Sequence, residues 1–314
     1  MNYKEQSKKD IQTFLQKHEN GVVVIWWATA TWKTSLSVYL SEDIPMEVIS
    51  ADSRQIYTHM DIWTDKISKE IRASVPHHMI DIVDPRETYT AGQRKAATKQ
   101  LIPEIQDRQR VPFIVGWTWL YINTIYKNFS MPEVAPDPVW RASMQAREDE
   151  HPGWLLDQLH LVDPEEATKH HPNSTRYILR ALEIYEKTGT PKSILAKELP
   201  VDQPLLMLWL RRDKESTNKL INARIKEMFT HWLIYEVQWL LDAWYTLEHT
   251  AMNGIWYKEI VGYLQGEYDK DKAIELLKRN THRYAKRQRC WFRKYIAEWK
   301  QTPKDNVVHR VFEL

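Results

Sequence analysis

From Val22 to about Asn128, short β-branched runs alternate with stretches whose apolar residues recur at helical spacing. Val22–Ile25 carries no polar residue and predicts a buried strand. Met46–Ser50, His77–Val83 and Pro112–Gly116 predict three more strands. Thr90–Gln109 and the segment after Gly116 predict helices, while residues 1–20 read as a short polar arm or helix. Strands alternating with helices predict a parallel, mostly doubly wound α/β sheet.

The pattern then shifts. Ser130–Pro138 holds three prolines and reads as a linker, and Val139–Thr188 looks helical, with polar loops around HPGW and HHPNS. Pro204–Leu210 returns to a strand, and Asp213–Trp299 is helical and highly charged. The expected organisation is a core in two parts, 1–129 and 196–314, with 130–195 as an inserted helical subdomain. The second part of the core ends in a basic helical C-terminal region.

The first chemical signal sits between the first strand and the first core helix. Trp27-Ala-Thr-Ala-Thr-Trp32-Lys33-Thr34 keeps the spacing of GxxxxGK[ST], the phosphate-binding loop of ATP and other nucleotide sites. Backbone N–H groups and the helix N-terminus cradle phosphates in such a loop. The two glycines of the motif are here Trp27 and Trp32. Asp52-Ser53-Arg54-Gln55 follows a predicted strand end, where open α/β sheets build their sites. A generic P-loop kinase or NTPase is a weaker reading, because no predicted strand ends convincingly in the acidic residue that such an enzyme requires.

Composition sharpens the loop anomaly. Glycine is 8 of 314 residues, where average usage of about 7% gives roughly 22. Tryptophan reaches 15, and several copies stand in turn contexts that ignore helical and strand periodicity, as in DIWTDK, VGWTWLY, DAWYT and GIWYK. The pattern reads as tryptophan in place of glycine. A net charge of +2 leaves any nucleic-acid footprint to local clustering. A single cysteine, Cys290, excludes an internal disulfide and a Cys-based zinc site. The charged N-terminus lacks an apolar signal, no run is long enough to span a bilayer, and a cytoplasmic monomer is expected. His77-His78 and His170-His171 chelate poorly, because adjacent strand residues face opposite sides.

The second chemical signal is Lys278–Lys294, with eight Lys/Arg and no Asp/Glu. On a helix, Arg283, Lys286, Arg287 and Arg293 approximate one face, with Tyr284 and Trp291 interleaved. Such a face suits a phosphate backbone, and its aromatic rings can stack on exposed bases. A solvated basic helix has the same composition.

Together, TATWKTS, ISADSRQIYTHMDIWTDK, VPHHMIDIVDP, VGWTWLY, HPNSTRYILRALEIYEKTG, GIWYKEI and RYAKRQRCWFRK resemble the tRNA dimethylallyltransferase family. The match runs from about Val22 to Arg293 in the family's order. The resemblance implies a P-loop NTPase-like fold and transfer of a dimethylallyl group from dimethylallyl diphosphate to the exocyclic amine of an adenosine 3′ to the tRNA anticodon. It implies Asp52 as general base, Thr118 at the mouth of the reaction channel and Arg224 near the diphosphate. Thr29, Ala30, Thr31, Trp32, Lys33 and Thr34 would bind the diphosphate, with Mg2+ held near Thr34. Asp52, Ser53, Arg54 and Gln55 would meet the flipped-out nucleotide. Arg176, Tyr177, Arg180, Arg283, Lys286 and Arg287 would contact tRNA, although Tyr177 departs from the commoner Gln-Arg pattern there.

The family's glycines are replaced at Trp27, Trp32, Trp63, Trp117, Trp119, Trp232, Trp244 and Trp256. A backbone forced into a sparsely populated region costs on the order of 1–3 kcal/mol per site. If half of these sites need it, the strain is roughly 4–12 kcal/mol, against a total stability of about 5–15 kcal/mol. The expectation is a severely impaired or inactive enzyme. The alternative is a non-catalytic RNA-binding relic of the same fold.

Overall fold

The structure is a computed structural model that describes residues 2–27, 33–132, 134–230, 232–301 and 303–314, without the side chains of residues 27, 33–35 and 230. Six strands form one sheet: β1 (Val22–Trp27), β2 (Met46–Ala51), β3 (His77–His78), β4 (Val111–Gly116), β5 (Leu205–Arg211) and β6 (Val307–Glu313). Their order is β3-β2-β4-β1-β5-β6, and every neighbouring pair is parallel. Parallel strands covered on both faces should read as continuous apolar runs, and β2 is buried at every position. Glu47 is the charged exception within β2. Arg108 and His78 hold its carboxylate at 2.7 and 2.6 Å.

Helices α1 (Tyr3–Lys17), α2 (Lys33–Ser41), α3 (Lys69–Ser74), α4 (Ala91–Asp107) and α5 (Trp119–Tyr126) accompany the first four strands. Ile11 and Phe14 of α1 and Leu36 and Leu40 of α2 share a core with β1, β2 and β5. Thr90 caps α4 through a reciprocal box with Gln93, so the helix starts where the Thr-x-x-Gln pattern places it. Beyond an inserted segment come α11 (Lys214–Thr230), α12 (Leu233–Asp242), α13 (Tyr257–Leu264) and the long α14 (Lys270–Gln301). Ile225, Val237, Ile260 and Leu277 from these four helices share a second core with Ile56, Tyr57 and Met60. Farther along α14, Phe292 stacks on Trp26 of β1 at 5.0 Å.

The chain divides into two compact units, Lys127–Val201 and the remainder. The smaller unit contains α6 (Pro138–Glu150), α7 (Trp154–Val162), α8 (Pro164–Ala167), α9 (Thr175–Thr188) and α10 (Lys192–Leu195). Leu155, Leu159, Ala167, Ile178 and Leu182 form its core. Glu183 is fully buried, and Arg141 and Arg180 bind its carboxylate at 2.5 and 2.6 Å.

Two expectations are corrected. The strand predicted over His77–Val83 ends after His78, because Met79 and Asp81 take left-handed backbone at φ 63° and 55°. Asp81 is held there by Lys66 and Arg72 at 2.6 and 2.8 Å, and Val83 makes one isolated bridge to Tyr57. The C-terminal residues form β6, a strand that the helical reading of the end of the chain missed.

Burial works to raise the Glu166 carboxyl, but Lys192, His170 and Lys169 outweigh it and bring it down to about 2. A carboxylate with a depressed folded pKa stabilises above its unfolded value of 4.5 and loses that contribution as pH falls toward 2. The denaturation midpoint of the smaller unit should therefore fall through this window. Glu166→Gln should flatten that part of the pH profile, and chemical denaturation followed across pH checks it.

Candidate active site

The candidate site is built at the C-terminal ends of β2 and β4, which run in register with Ala51 opposite Gly116. The two backbones approach so closely that a Cβ at Gly116 would overlap the Ala51 carbonyl. The Thr118 N–H then donates to the Ala51 carbonyl at 3.0 Å, and the Ser53 N–H donates to Thr118 Oγ1 at 2.9 Å. Asp52, one residue past β2, is thus fixed beside Thr118. Its carboxylate accepts from the Arg54 N–H at 2.8 Å, and the residue is only 3% exposed. A small cavity opens here, lined by Asp52, Ser37, Ser50, Gln55, His77 and Gly116. Burial lowers the pKa of His77, whose Nδ1 lies 2.6 Å from the Val75 carbonyl oxygen.

β1 and β4 lie side by side, while their onward connections leave toward opposite edges of the sheet. Such a switch point is where open α/β sheets leave a crevice for ligands. Lys33 and Thr34 open α2 directly after β1. The expected diphosphate ligands Thr29, Ala30, Thr31 and Trp32 lie outside the described residues, as do the side chains of Lys33 and Thr34.

The other expected residues divide by what their side chains already do. Arg54 is tethered to the Thr250 and Ala251 carbonyls at 2.8 and 3.1 Å. Gln55 is buried, bonded to Ser50 Oγ at 2.9 Å and donating to the Thr64 and Asp65 carbonyls. Arg224 donates to the Trp63 carbonyl at 3.2 Å and faces Asp65 at 3.5 Å. In the smaller unit, Arg176 is exposed and Tyr177 stacks against His170 at 5.8 Å. Arg180 there is engaged by Glu183 and the Val134 carbonyl. Arg283, Lys286, Arg287 and Arg293 are all exposed on α14.

Of three neighbours of Asp52, Arg94 escaped the sequence reading, while Tyr284 and Trp117 were named there without these contacts. Arg94 of α4 is 2% exposed, donates to the Ser50 carbonyl and lies over the Tyr121 ring at 4.4 Å. Burial lowers its pKa to about 10. A lone arginine in a helix gives no pattern by which its burial could be foreseen. Burial and the Asp52 charge raise the pKa of the Tyr284 hydroxyl. Trp117 places its indole N–H on Asp52 Oδ2 at 2.5 Å and turns its edge to Tyr284 at 5.2 Å.

Magnesium is usually bound through one or two protein oxygens plus substrate phosphates and water. The described residues contain no group of three His, Cys, Asp or Glu able to hold a metal by themselves. No helix among the described residues is long and apolar enough to cross a membrane.

The family model described as IPP transferase matches residues 55–295. A tRNA dimethylallyltransferase of Halothermothrix orenii is 42% identical over 277 residues, covering 87% of this chain and 84% of the relative. One from Thermotoga petrophila is 38% identical over 274 residues, covering 87% and 90%. The crystal structure of the full-length tRNA isopentenylpyrophosphate transferase of Bacillus halodurans is similar at TM-score 0.65 and 36% identity, covering 94% of this chain and 90% of that one. A eukaryotic dimethylallyltransferase captured acting on tRNA is similar at TM-score 0.73 and 29% identity, covering 86% and 69%.

Gly116→Ala should force β2 and β4 apart at the point that carries Asp52 and Thr118. Overpacking of this kind costs about 1–3 kcal/mol. A drop in denaturation midpoint, with the denaturant slope unchanged, is the expected reading.

Proposed function

Because the chain belongs to the IPP transferase family, we propose that its catalytic apparatus is that of a tRNA dimethylallyltransferase. The observation that supports this most directly is the fixed pairing of Asp52 and Thr118 at the ends of β2 and β4. The reaction joins the exocyclic amine of an adenosine 3′ to the anticodon to the allylic carbon of dimethylallyl diphosphate. As the new N–C bond forms, the C–O bond to diphosphate breaks and its electron pair leaves on oxygen. The amine is a poor nucleophile until it loses a proton, which passes to the Asp52 carboxylate.

The loop amides, Lys33 and Arg224 would meet the charge developing on the diphosphate. Thr34 would hold Mg2+, which when bound neutralises that leaving group. Arg283, Lys286 and Arg287 would hold the tRNA backbone, and Arg176, Tyr177 and Arg180 would contact tRNA from the smaller unit. Ser53, Arg54 and Gln55 line the approach of the extruded base. The internal bonds of Arg54 and Gln55 suit them to shaping the pocket rather than reaching out of it.

As written, the chain carries this reaction out poorly. The Trp117 N–H occupies the carboxylate oxygen that should receive the proton, and Trp27 and Trp32 stand where bare amides should face phosphate. Isothermal calorimetry should show little or no magnesium-dependent binding of dimethylallyl diphosphate. Restoring glycine at 27 and 32 should recover that binding, and restoring 117 and 119 as well should bring prenyl transfer to tRNA. Asp52→Ala in the restored chain should then reduce turnover by about 10²–10⁴-fold. A folded, restored chain that binds both substrates without transferring the group would overturn the assignment.

The non-catalytic RNA-binding reading has one observation in its favour, the exposed basic face of α14 beside an obstructed base. On either reading tRNA affinity should fall with salt, with a log–log slope of roughly −0.7 to −0.9 per neutralised phosphate. Neutralising Arg283, Lys286, Arg287 and Arg293 together should flatten that slope. An unchanged slope places the binding surface elsewhere.

A further inference from the structure

Among the described residues, three tryptophans at family glycine positions occupy left-handed backbone, where a Cβ is penalised. Trp232 has φ 65°, Trp244 φ 64° and Trp256 φ 101°. Trp244 follows the C-cap Ala243 of α12. Its N–H bonds the Leu241 carbonyl at 3.0 Å, and the Tyr245 N–H bonds that of Leu240 at 2.9 Å. That pair of bonds is the Schellman helix terminus, whose left-handed residue is usually glycine. Trp256 combines φ 101° with ψ −53°, outside the regions open to residues with a Cβ. Trp232 precedes α12 without any side-chain cap.

Trp256 is buried, but the other two indoles gain little in return. Trp232 and Trp244 are 66% and 83% exposed, so burial does not offset their strained backbones. Trp63 and Trp256, both at glycine positions, have ring centroids only 3.2 Å apart at 34°, and Trp119 and Tyr295 are equally close at 30°. Aromatic pairs ordinarily lie at about 4.5–7 Å. Trp117 sits on the general base itself. At every one of these positions whose side chain is described, tryptophan is either strained, crowded or obstructive.

Mutational drift does not give this pattern. Glycine codons are one base from those of alanine, valine, aspartate, glutamate, arginine, serine and cysteine and, through GGG alone, tryptophan, so a decaying enzyme would scatter many residue types over its glycine positions. Here a single residue type fills all eight, while Lys33-Thr34, Asp52-Ser53-Arg54-Gln55 and His77-His78 remain intact. UGA is one base from the glycine codon GGA and one base from the tryptophan codon UGG, so either assignment needs only a small change in a decoding tRNA. We infer that positions 27, 32, 63, 117, 119, 232, 244 and 256 are encoded by UGA, that the source organism decodes UGA as glycine, and that its cellular protein carries glycine there. Reading UGA as tryptophan then yields the sequence above. The glycine deficit narrows correspondingly, the phosphate-loop motif regains its two glycines, and the helix termini and Asp52 lose their obstructions together.

The inference rests on the family reading for where glycine belongs. Its test is independent of activity: sequence the gene at these eight codons, and map the peptides of the protein purified from its source by tandem mass spectrometry. UGA codons with peptides lighter by the tryptophan–glycine difference are expected, with Trp291 on α14 as the UGG-encoded control. UGG at these codons, or UGA with tryptophan in the peptides, overturns the inference. A glycine-bearing protein that transfers no prenyl group would instead overturn the functional reading and leave this one standing.

Discussion

The contact on which the site depends is the close approach of β2 and β4 at their C-terminal ends. It requires a residue without a Cβ at position 116, since any side chain there would enter the Ala51 carbonyl. The consequence is chemical as well as steric. Once the Thr118 N–H reaches the Ala51 carbonyl, the Thr118 hydroxyl can accept from Ser53, and the turn that presents Asp52 is tied to the neighbouring strand at two points. Arg94 adds a third tie from the α4 side through the Ser50 carbonyl. Asp52 therefore holds its position through backbone bonds on two rigid strands, the placement that the proposed general base would need.

Much of the sheet was legible because buried parallel strands leave an unmistakable apolar run. Val22–Ile25, Met46–Ser50 and Pro112–Gly116 extend in the structure by a residue or two, to Trp27, Ala51 and back to Val111. His77–Val83 misled because its apolar residues continue after the backbone has turned. The ion pairs of Asp81 with Lys66 and Arg72, which fix that turn, come from 15 and 9 residues earlier, outside the apolar run itself. β6 lies at the edge of the sheet and mixes buried His309 with exposed Arg310, so neither a continuous run nor a clean alternation announces it.

At the site, motif residues were easier to find than their working state. Asp52 and Thr118 came from matched segments, and the strand register explains why two such separate segments meet. Gln55 and Arg180 stand in matched segments too. Their polar atoms are engaged by the Thr64 and Asp65 carbonyls and by Glu183 respectively. Arg94 had no sequence signal, because burial of a guanidinium depends on the carbonyl and ring that happen to meet it.

The tryptophans create a conflict between local and global information. The order of elements, the helix caps and the strand register agree with one another, as expected of a sequence selected to fold. Tryptophan at 232, 244 and 256 disagrees with the backbone at those same places. In natural proteins a local rule is broken chiefly at functional sites, where the strain serves the chemistry. Trp232 and Trp244 are instead exposed at the ends of α12, and the Schellman bonds around Trp244 need only its backbone. The same residue type at Trp117 donates to Asp52, the carboxylate proposed to accept a proton. A cost spread over helix ends and a strand end, each time at a family glycine position and each time as tryptophan, has no shared structural cause. What those positions can share is a codon, and glycine at each satisfies the backbone, the packing and the base at once.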